Sequence, residues 1–249
     1  MTTMRRIDFL GYPLDALTTE ETLEEVERQV ASRRPHQHVV INAAKVVTMA
    51  RDPELRSIVE QCPLVNADGQ SVVWAARLLG QRVPERVAGI DLMQAVVARA
   101  AERGWRIYFL GAREEVVERV VQIYRHRYPN LQVAGWRDGY FSEDEEPRVA
   151  ATIRERQADV LFVAISSPRK ERFIHRWLGE MNVPFAMGVG GSFDVVAGRA
   201  SRAPLWMQHA GLEWFHRLLQ EPRRLGRRYL ETNTRFLWMV AKARWSGGA

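Results

Sequence analysis

The chain has 249 residues, 46% hydrophobic and 27% charged, a composition that supplies a full globular core and excludes general disorder. A single cysteine, Cys62, excludes a disulfide framework and a cysteine-based zinc site, and it reads as a structural thiol in a reducing cytoplasm. The net charge of +6 rests on residues 201–249, where nine Lys or Arg face three Glu and where four of the eight tryptophans fall.

No apolar run reaches the ~18 residues of a membrane span, and Ile7-Asp8-Phe9 after Arg5 and Arg6 is not the core of a signal peptide. Ile7 to Phe9 and Val39 to Ile41 read as short strands. Thr18 to Arg33 reads as a helix capped by Thr19, with Glu20, Glu21, Glu24 and Glu25 near its positive end. Asp52-Pro53 opens another, Asp52 capping and Pro53 in the first turn. Leu64 to Ala67 ends a strand, and Asp68-Gly69-Gln70-Ser71 turns into a helix from Val72 to Leu79. Trp105 to Leu110 is a strongly apolar strand, and Gly111-Ala112-Arg113-Glu114 turns into a helix from Val116 to Arg127. A strand at Leu131 to Trp136, a helix at Pro147 to Arg156 and a fully buried strand at Val160 to Ile165 follow. The turn Ser166-Ser167-Pro168, a helix from Lys170 to Trp177 and a strand from Phe185 to Val189, ending at Gly190-Gly191, complete this part.

Strands separated by helices of ten or more residues predict parallel pairing through right-handed crossovers, and apolar strands without alternation predict a sheet covered on both faces. The expected fold is α/β, a Rossmann-like, mostly parallel sheet with helices on both faces over residues 1–200. Ligands of such sheets sit beyond the carboxyl ends of the strands, where the turns at Asp68, Gly111, Ser167 and Gly191 would share one edge.

Residues 201–249 predict a basic helical appendage. Leu212, Phe215, Leu218 and Leu219 recur at helical spacing, and Pro222 ends that helix. A second helix runs from Arg223 to Val240, with Arg223, Arg224, Arg227 and Arg228 on one side. A solvated face, a nucleic-acid arm and an interfacial element on anionic lipid all share this composition, and the tryptophans favour the last.

Asp68, on a turn at the ligand edge, suits a general base that takes a proton from an attacking hydroxyl, or equally a helix cap. Gly111-Ala112 and Gly190-Gly191 suit close backbone approach to a phosphate or sugar, or simply turn geometry. Neither glycine pair completes a dinucleotide fingerprint, and no P-loop is present. In Ser166-Ser167-Pro168-Arg169-Lys170-Glu171, two hydroxyls and a cation at a helix start suit a diphosphate or sugar, or a capping turn. His36 and His38 lack the carboxylates that would make a metal site, and no Asp-x-Asp motif occurs.

The runs Asn66-Ala67-Asp68-Gly69, Val72-Val73-Trp74-Ala75-Ala76-Arg77 and Arg86-Val87-Ala88-Gly89-Ile90-Asp91-Leu92 resemble the WecG/TagA/CpsF family, glycosyltransferase family 26. So do Phe109-Leu110-Gly111, Asp138-Gly139-Tyr140-Phe141, Gly188 to Asp194, Arg202-Ala203-Pro204, Trp206-Met207, Gly211-Leu212-Glu213-Trp214, Arg217 and Glu221-Pro222-Arg223-Arg224, in order from about residue 8 to about 240. The resemblance implies an inverting transferase that takes a UDP-sugar and an acceptor sugar on a polyprenyl diphosphate, in cell-envelope or exopolysaccharide synthesis. In it Asp68 matches the proposed base, Asn42 an Asn after the first buried strand and Arg86 the Arg of an R-V-x-G-x-D motif; Gly111, Ala112, Asp138, Ser167, Lys170, Glu171, Gly190 and Gly191 are expected around the substrates with them. Arg202, Arg217, Arg223, Arg224, Arg227 and Arg228 are expected at the lipid diphosphate, with no cofactor and, for want of an Asp-x-Asp motif, no essential metal. The enzyme would sit peripherally on the inner face of the cytoplasmic membrane, its oligomeric state open. Val40 stands where many members carry Thr, and Lys170 where many carry an active-site Gln; the S-S-P-x-K-E form is similar to an exopolysaccharide-linked subgroup, so N-acetylmannosamine is not implied as the donor sugar. The rival readings are a nucleotide- or nucleic-acid-binding module with a basic arm and a non-catalytic membrane adaptor.

Overall fold

The structure, a computed structural model, describes residues 5–209, 211–220 and 222–246; the side chains of His209, Arg217, Arg223, Arg224, Leu225, Arg227 and Arg228 lie outside that description. A hairpin of β1 (Arg6–Phe9) and β2 (Tyr12–Asp15) leads into α1 (Thr19–Ser32), β3 (His36–Ile41), α2 (Ala43–Met49), α3 (Pro53–Gln61), β4 (Leu64–Ala67) and α4 (Gln70–Leu78). Then come α5 (Gly89–Arg103), β5 (Arg106–Gly111), α6 (Glu114–Arg127), β6 (Gln132–Arg137), a 3-10 turn at Glu143–Glu145, α7 (Glu146–Glu155), β7 (Val160–Ala164), α8 (Arg169–Met181) and β8 (Phe185–Gly188). The chain ends through α9 (Ser192–Val196), α10 (Leu205–His209), α11 (Glu213–Gln220) and α12 (Pro222–Trp245).

Six strands form one sheet in the order β4-β3-β8-β7-β5-β6. Every neighbouring pair is parallel. Strand alternation explains why both faces need cover. Ile107 and Phe109 of β5 pack with residues of α1, α5 and α6, while Tyr108 and Leu110 pack with residues of α7 and α8. The expected α/β fold with helices on both faces is therefore the one observed.

Three local differences have physical reasons. Thr18, not Thr19, caps α1: its hydroxyl accepts the Glu21 amide while the Glu21 carboxylate accepts the Thr18 amide at 2.8 Å, a reciprocal capping box. The strand β2 was not expected. Leu10 and Gly11, at φ 55° and 82°, make the two-residue turn that folds it back on β1. The hairpin then docks on the sheet, because the buried Asp15 accepts the Val65 amide at 2.7 Å and pairs with Arg6. The helices α2 and α5 were also not expected. α5 buries Leu92, Met93, Val96, Val97 and Ala100, a helical stripe.

The C-terminal helices form as expected on either side of Pro222. α12 lies on α2, with Phe236 and Val240 buried in the same cluster as Phe9 and Val46. The Phe9 and Phe236 rings stand 6.4 Å apart. Among the described residues no helix is long and apolar enough to cross a membrane.

Candidate active site

Because all six strands run one way, their carboxyl ends share one edge. Along it stand Asp68 after β4, Asn42 after β3, Gly190 after β8, Ser167 after β7, Ala112 after β5 and Asp138 after β6. Neighbouring strands lie about 4.8 Å apart, so Asp68 is two spacings, about 10 Å, from the end of β8 and four, about 19 Å, from that of β5. The expected residues thus share an edge but fall into two groups.

Asp68 heads the first group. Ile41 and Ala67 are register partners, and the Asp68 amide donates to Ile41 O at 2.9 Å, which sets Asn42 and Asp68 side by side. Asp68 does not cap the helix that follows it; Gly69 holds that position without a side-chain bond. Its Oδ1 instead accepts the Gly89 amide, the first residue of α5, at 3.0 Å. A Cβ on Gly69 would lie 3.3 Å from Asn42 Cβ, so the glycine permits the close approach of the two turns. Asn42 caps α2, its Oδ1 accepting the Lys45 amide at 3.0 Å. Asn66, two residues before Asp68, turns inward: His38 Nε2 donates to its Oδ1 at 2.9 Å, and its Nδ2 donates to Thr22 Oγ1 at 3.1 Å. Burial holds His38 near pKa 4, neutral and structural.

Beside this turn lies a buried ionic triad. Glu171, 2% exposed, receives Lys45 Nζ at 2.6 Å and Lys170 Nζ at 2.8 Å, both on Oε1. Burial pushes the Glu171 carboxyl up, but Lys45 and Lys170 together outweigh it and hold the group at about 2. Burial and the Lys45 charge push Lys170 down, opposed by Glu171 and by Asp68, so Lys170 stands within electrostatic reach of the carboxylate. The Lys170 stem crosses Gly188 at the end of β8, where an added Cβ would meet Lys170 Cε at 2.7 Å.

Beyond β8 the backbone is open. An added Cβ at Gly190 or Gly191 would meet nothing within 4 Å, so these residues can be approached closely. Ser166 and Ser167 are exposed, and α8 begins after Pro168 with no side-chain cap, so their hydroxyls do not cap it.

The second group is more committed to the fold. Gly111 has φ +127°, and a Cβ there would stand 2.5 Å from the Ala164 carbonyl, so close packing of β5 on β7 requires this glycine. Ala112, at φ 58°, donates its amide to Ala164 O at 3.0 Å and accepts the Gly139 amide at 2.8 Å. Asp138 Oδ1 accepts the Tyr140 amide at 2.7 Å, closing its turn.

Two expected arginines are engaged by carboxylates. Arg86 pairs with Glu213. Arg202 forks onto Asp91 at 2.5 and 2.6 Å and reaches Glu213 at 3.3 Å. This network ties α11 to the start of α5, and hence to the amide that holds Asp68. Arg217 lies on α11, and Arg223, Arg224, Arg227 and Arg228 on α12; their side chains are outside the described residues. Leu205, Trp206, Trp214, Leu219, Leu237, Trp238 and Trp245 are exposed on α10, α11 and α12. No cluster of three His, Cys, Asp or Glu capable of holding a metal occurs among the described residues.

The sequence reading missed Lys45, Asp91 and Glu213. Asp91 and Glu213 stood inside recognised motifs without an assigned partner. Lys45 gave no signal, because nothing in its neighbourhood marks it as buried.

The carboxyl edge of this parallel α/β sheet thus presents the Asp68 carboxylate, two buried lysines and an open glycine backbone. The chain matches the model of the Glycosyl transferase WecG/TagA/CpsF family over residues 7–249. It is similar to the N-acetylglucosaminyldiphosphoundecaprenol N-acetyl-beta-D-mannosaminyltransferase of Bacillus subtilis (strain 168), with 34% identity over 182 residues, 73% of this chain and 70% of that one. The chain belongs to the WecG/TagA/CpsF family and is a glycosyltransferase.

Proposed function

We propose that this glycosyltransferase moves a sugar, with inversion, from a UDP-sugar to a sugar carried on a polyprenyl diphosphate. The name of the Bacillus subtilis relative states an acceptor of that kind, an N-acetylglucosaminyl-diphospho-undecaprenol, and an N-acetylmannosaminyl group transferred to it. One observation carries the reading: Asp68 stands at the ligand edge, not spent on capping its own helix and within electrostatic reach of Lys170.

In this reading the Gly89 amide fixes one carboxylate oxygen of Asp68, and the other takes the proton of the acceptor hydroxyl. The hydroxyl oxygen then bonds to the anomeric carbon as the bond from that carbon to the UDP β-phosphate oxygen breaks on the opposite face. Lys170 supports the negative charge gathering on the departing UDP. The open backbone at Gly190-Gly191 and the free hydroxyls of Ser166 and Ser167 suit the diphosphate. The far group, Gly111, Ala112 and Asp138, suits the remote end of a long donor laid along the edge. Residues 1–200 serve as the catalytic core and 201–249 as the appendage that meets the lipid.

The exposed tryptophans and leucines of α10 to α12, on a segment that carries the chain's net positive charge, support peripheral association with the anionic cytoplasmic face of a membrane. The test is a screen of UDP-sugars against polyprenyl-diphosphate-linked acceptors, read by UDP release. Release that depends on the lipid-linked acceptor is the expected result, and no release with any donor defeats the reading.

A further inference from the structure

We propose that Lys45 is a positioning residue for the transfer reaction: by sharing Glu171 Oε1 with Lys170, it keeps the Lys170 ammonium from closing on that carboxylate alone and leaves it directed at the Asp68 edge. The inference rests on the reading of Asp68 and Lys170 as reaction partners.

The geometry carries it. Lys45 is 8% exposed and sits in the first turn of α2, where its own backbone amide is fixed by Asn42. Its Nζ lies 2.6 Å from Glu171 Oε1, and Lys170 Nζ lies 2.8 Å from the same oxygen. The second oxygen, Oε2, is buried with no hydrogen-bond partner among the described residues. The Glu171 backbone is fixed as well, since Gln37 Nε2 donates to its carbonyl at 3.1 Å. Two ammonium groups therefore divide one carboxylate oxygen in a site with little water. An ammonium has three N–H donors, so Lys170 keeps donors that Glu171 does not use.

A lysine pair with one glutamate is a poor device for stability. A buried ion pair gains little over a hydrophobic substitute, and a second cation adds repulsion. Lys170 also lies in the first turn of α8, the end of a 13-residue helix that disfavours a cation. The excess positive charge has a use if a dianionic leaving group arrives at this edge.

The charged groups facing Lys170 are Lys45 from α2, Glu171 from α8 itself and Asp68 from the turn after β4, while β8 offers only the backbone of Gly188. His38 and Cys62, near Lys45, stay uncharged: burial first holds one near 4 and the other near 12. The electrostatic influence of Lys45 on Lys170 is therefore direct. Removing the Lys45 charge lets Lys170 hold its proton to higher pH and seats it more tightly on Glu171.

Two readouts test this. The first is the pH profile of kcat in wild-type enzyme, Lys45→Met, Lys45→Arg and Glu171→Gln. Lys45→Met should lower kcat by up to about 10²-fold through misplacement of Lys170 and move the alkaline limb to higher pH. Lys45→Arg, which keeps the charge, should leave the limb in place. Glu171→Gln should move it to lower pH. The second readout needs no turnover: acetylation of Lys170 by acetic anhydride, followed across pH by peptide mass spectrometry, should show the same shifts. Unmoved Lys170 titration in Lys45→Met overturns the proposal, whatever Glu171→Gln shows. If the labelling shifts appear but no donor yields UDP, the placement of Lys45 stands and the transfer reading falls. If Lys45→Met does not fold, Lys45→Gln takes its place with the same expected shifts.

Discussion

The carboxylate of Asp68 accepts the amide of Gly89 at 3.0 Å across 21 residues of sequence. That bond joins the turn after β4 to the first residue of α5, and two residues further on Asp91 grips Arg202 of the C-terminal segment. The position of the proposed base is thus linked, through one helix start, to the part of the chain that carries the exposed tryptophans.

The network of Arg86, Asp91, Arg202 and Glu213 should therefore be felt in turnover. Glu213→Gln keeps the shape and removes the charge that Arg86 and Arg202 share. The expected outcome is a loss of roughly 1–3 kcal/mol in the hold of α11 on the core, because Arg86 loses its carboxylate while Arg202 keeps Asp91. Hydrogen exchange of α11 amides reads this directly, with faster exchange in the variant and no change in β5 or β7.

The glycines of the two groups should behave differently. Gly111→Ala places a Cβ 2.5 Å from the Ala164 carbonyl at φ +127°, so it should destabilise the fold by more than about 1 kcal/mol, read as a lower urea midpoint. Gly191→Ala adds a methyl in open space at φ −75°, so its midpoint should match the wild type while KM for the donor rises.

Acid stability follows from two depressed groups. The folded-state value of His38 is near 4 against 6.5, so its contribution is complete above 6.5 and is lost as pH falls through 4. Glu171, near 2 against 4.5, contributes above 4.5 and loses that contribution as pH falls through 2. Unfolding free energy by urea should accordingly begin to fall below pH 6.5 and fall again below 4.5. In Glu171→Gln the second decline should be smaller.

The lipid-facing role predicts a separation of binding from folding. Replacing Trp206 and Trp238, both exposed, with Ser should leave the thermal midpoint unchanged and weaken sedimentation with anionic vesicles. Phe236→Ala, by contrast, empties a buried site against Phe9 and should cost about 3–5 kcal/mol. Deletion of the whole segment from residue 201 would confound the two, since it removes Phe236 and Val240 from the core.

Much of this was legible in the sequence because the signals are local. Asp52 with Pro53 marked a helix start, and the apolar run before Ser166 marked a central strand, as observed. The edge shared by Asp68 and Gly190 followed from strands alternating with helices. Lys45 was not legible, since its burial depends on Glu171, 126 residues away. Nor was the demand on Gly111, which comes from the backbone of β7 and not from its own turn. The partners of Arg86 and Arg202 were hidden for the same reason: Glu213 and Asp91 are brought to them only by the packing of α11 on the core.

The most direct test is the turnover of Asp68→Asn, measured as UDP release with a donor and a polyprenyl-diphosphate-linked acceptor, alongside its thermal midpoint. Asparagine keeps an oxygen to accept the Gly89 amide, so the account predicts an unchanged midpoint and a kcat lower by roughly 10²–10⁴-fold. A folded Asp68→Asn enzyme with wild-type kcat would contradict it.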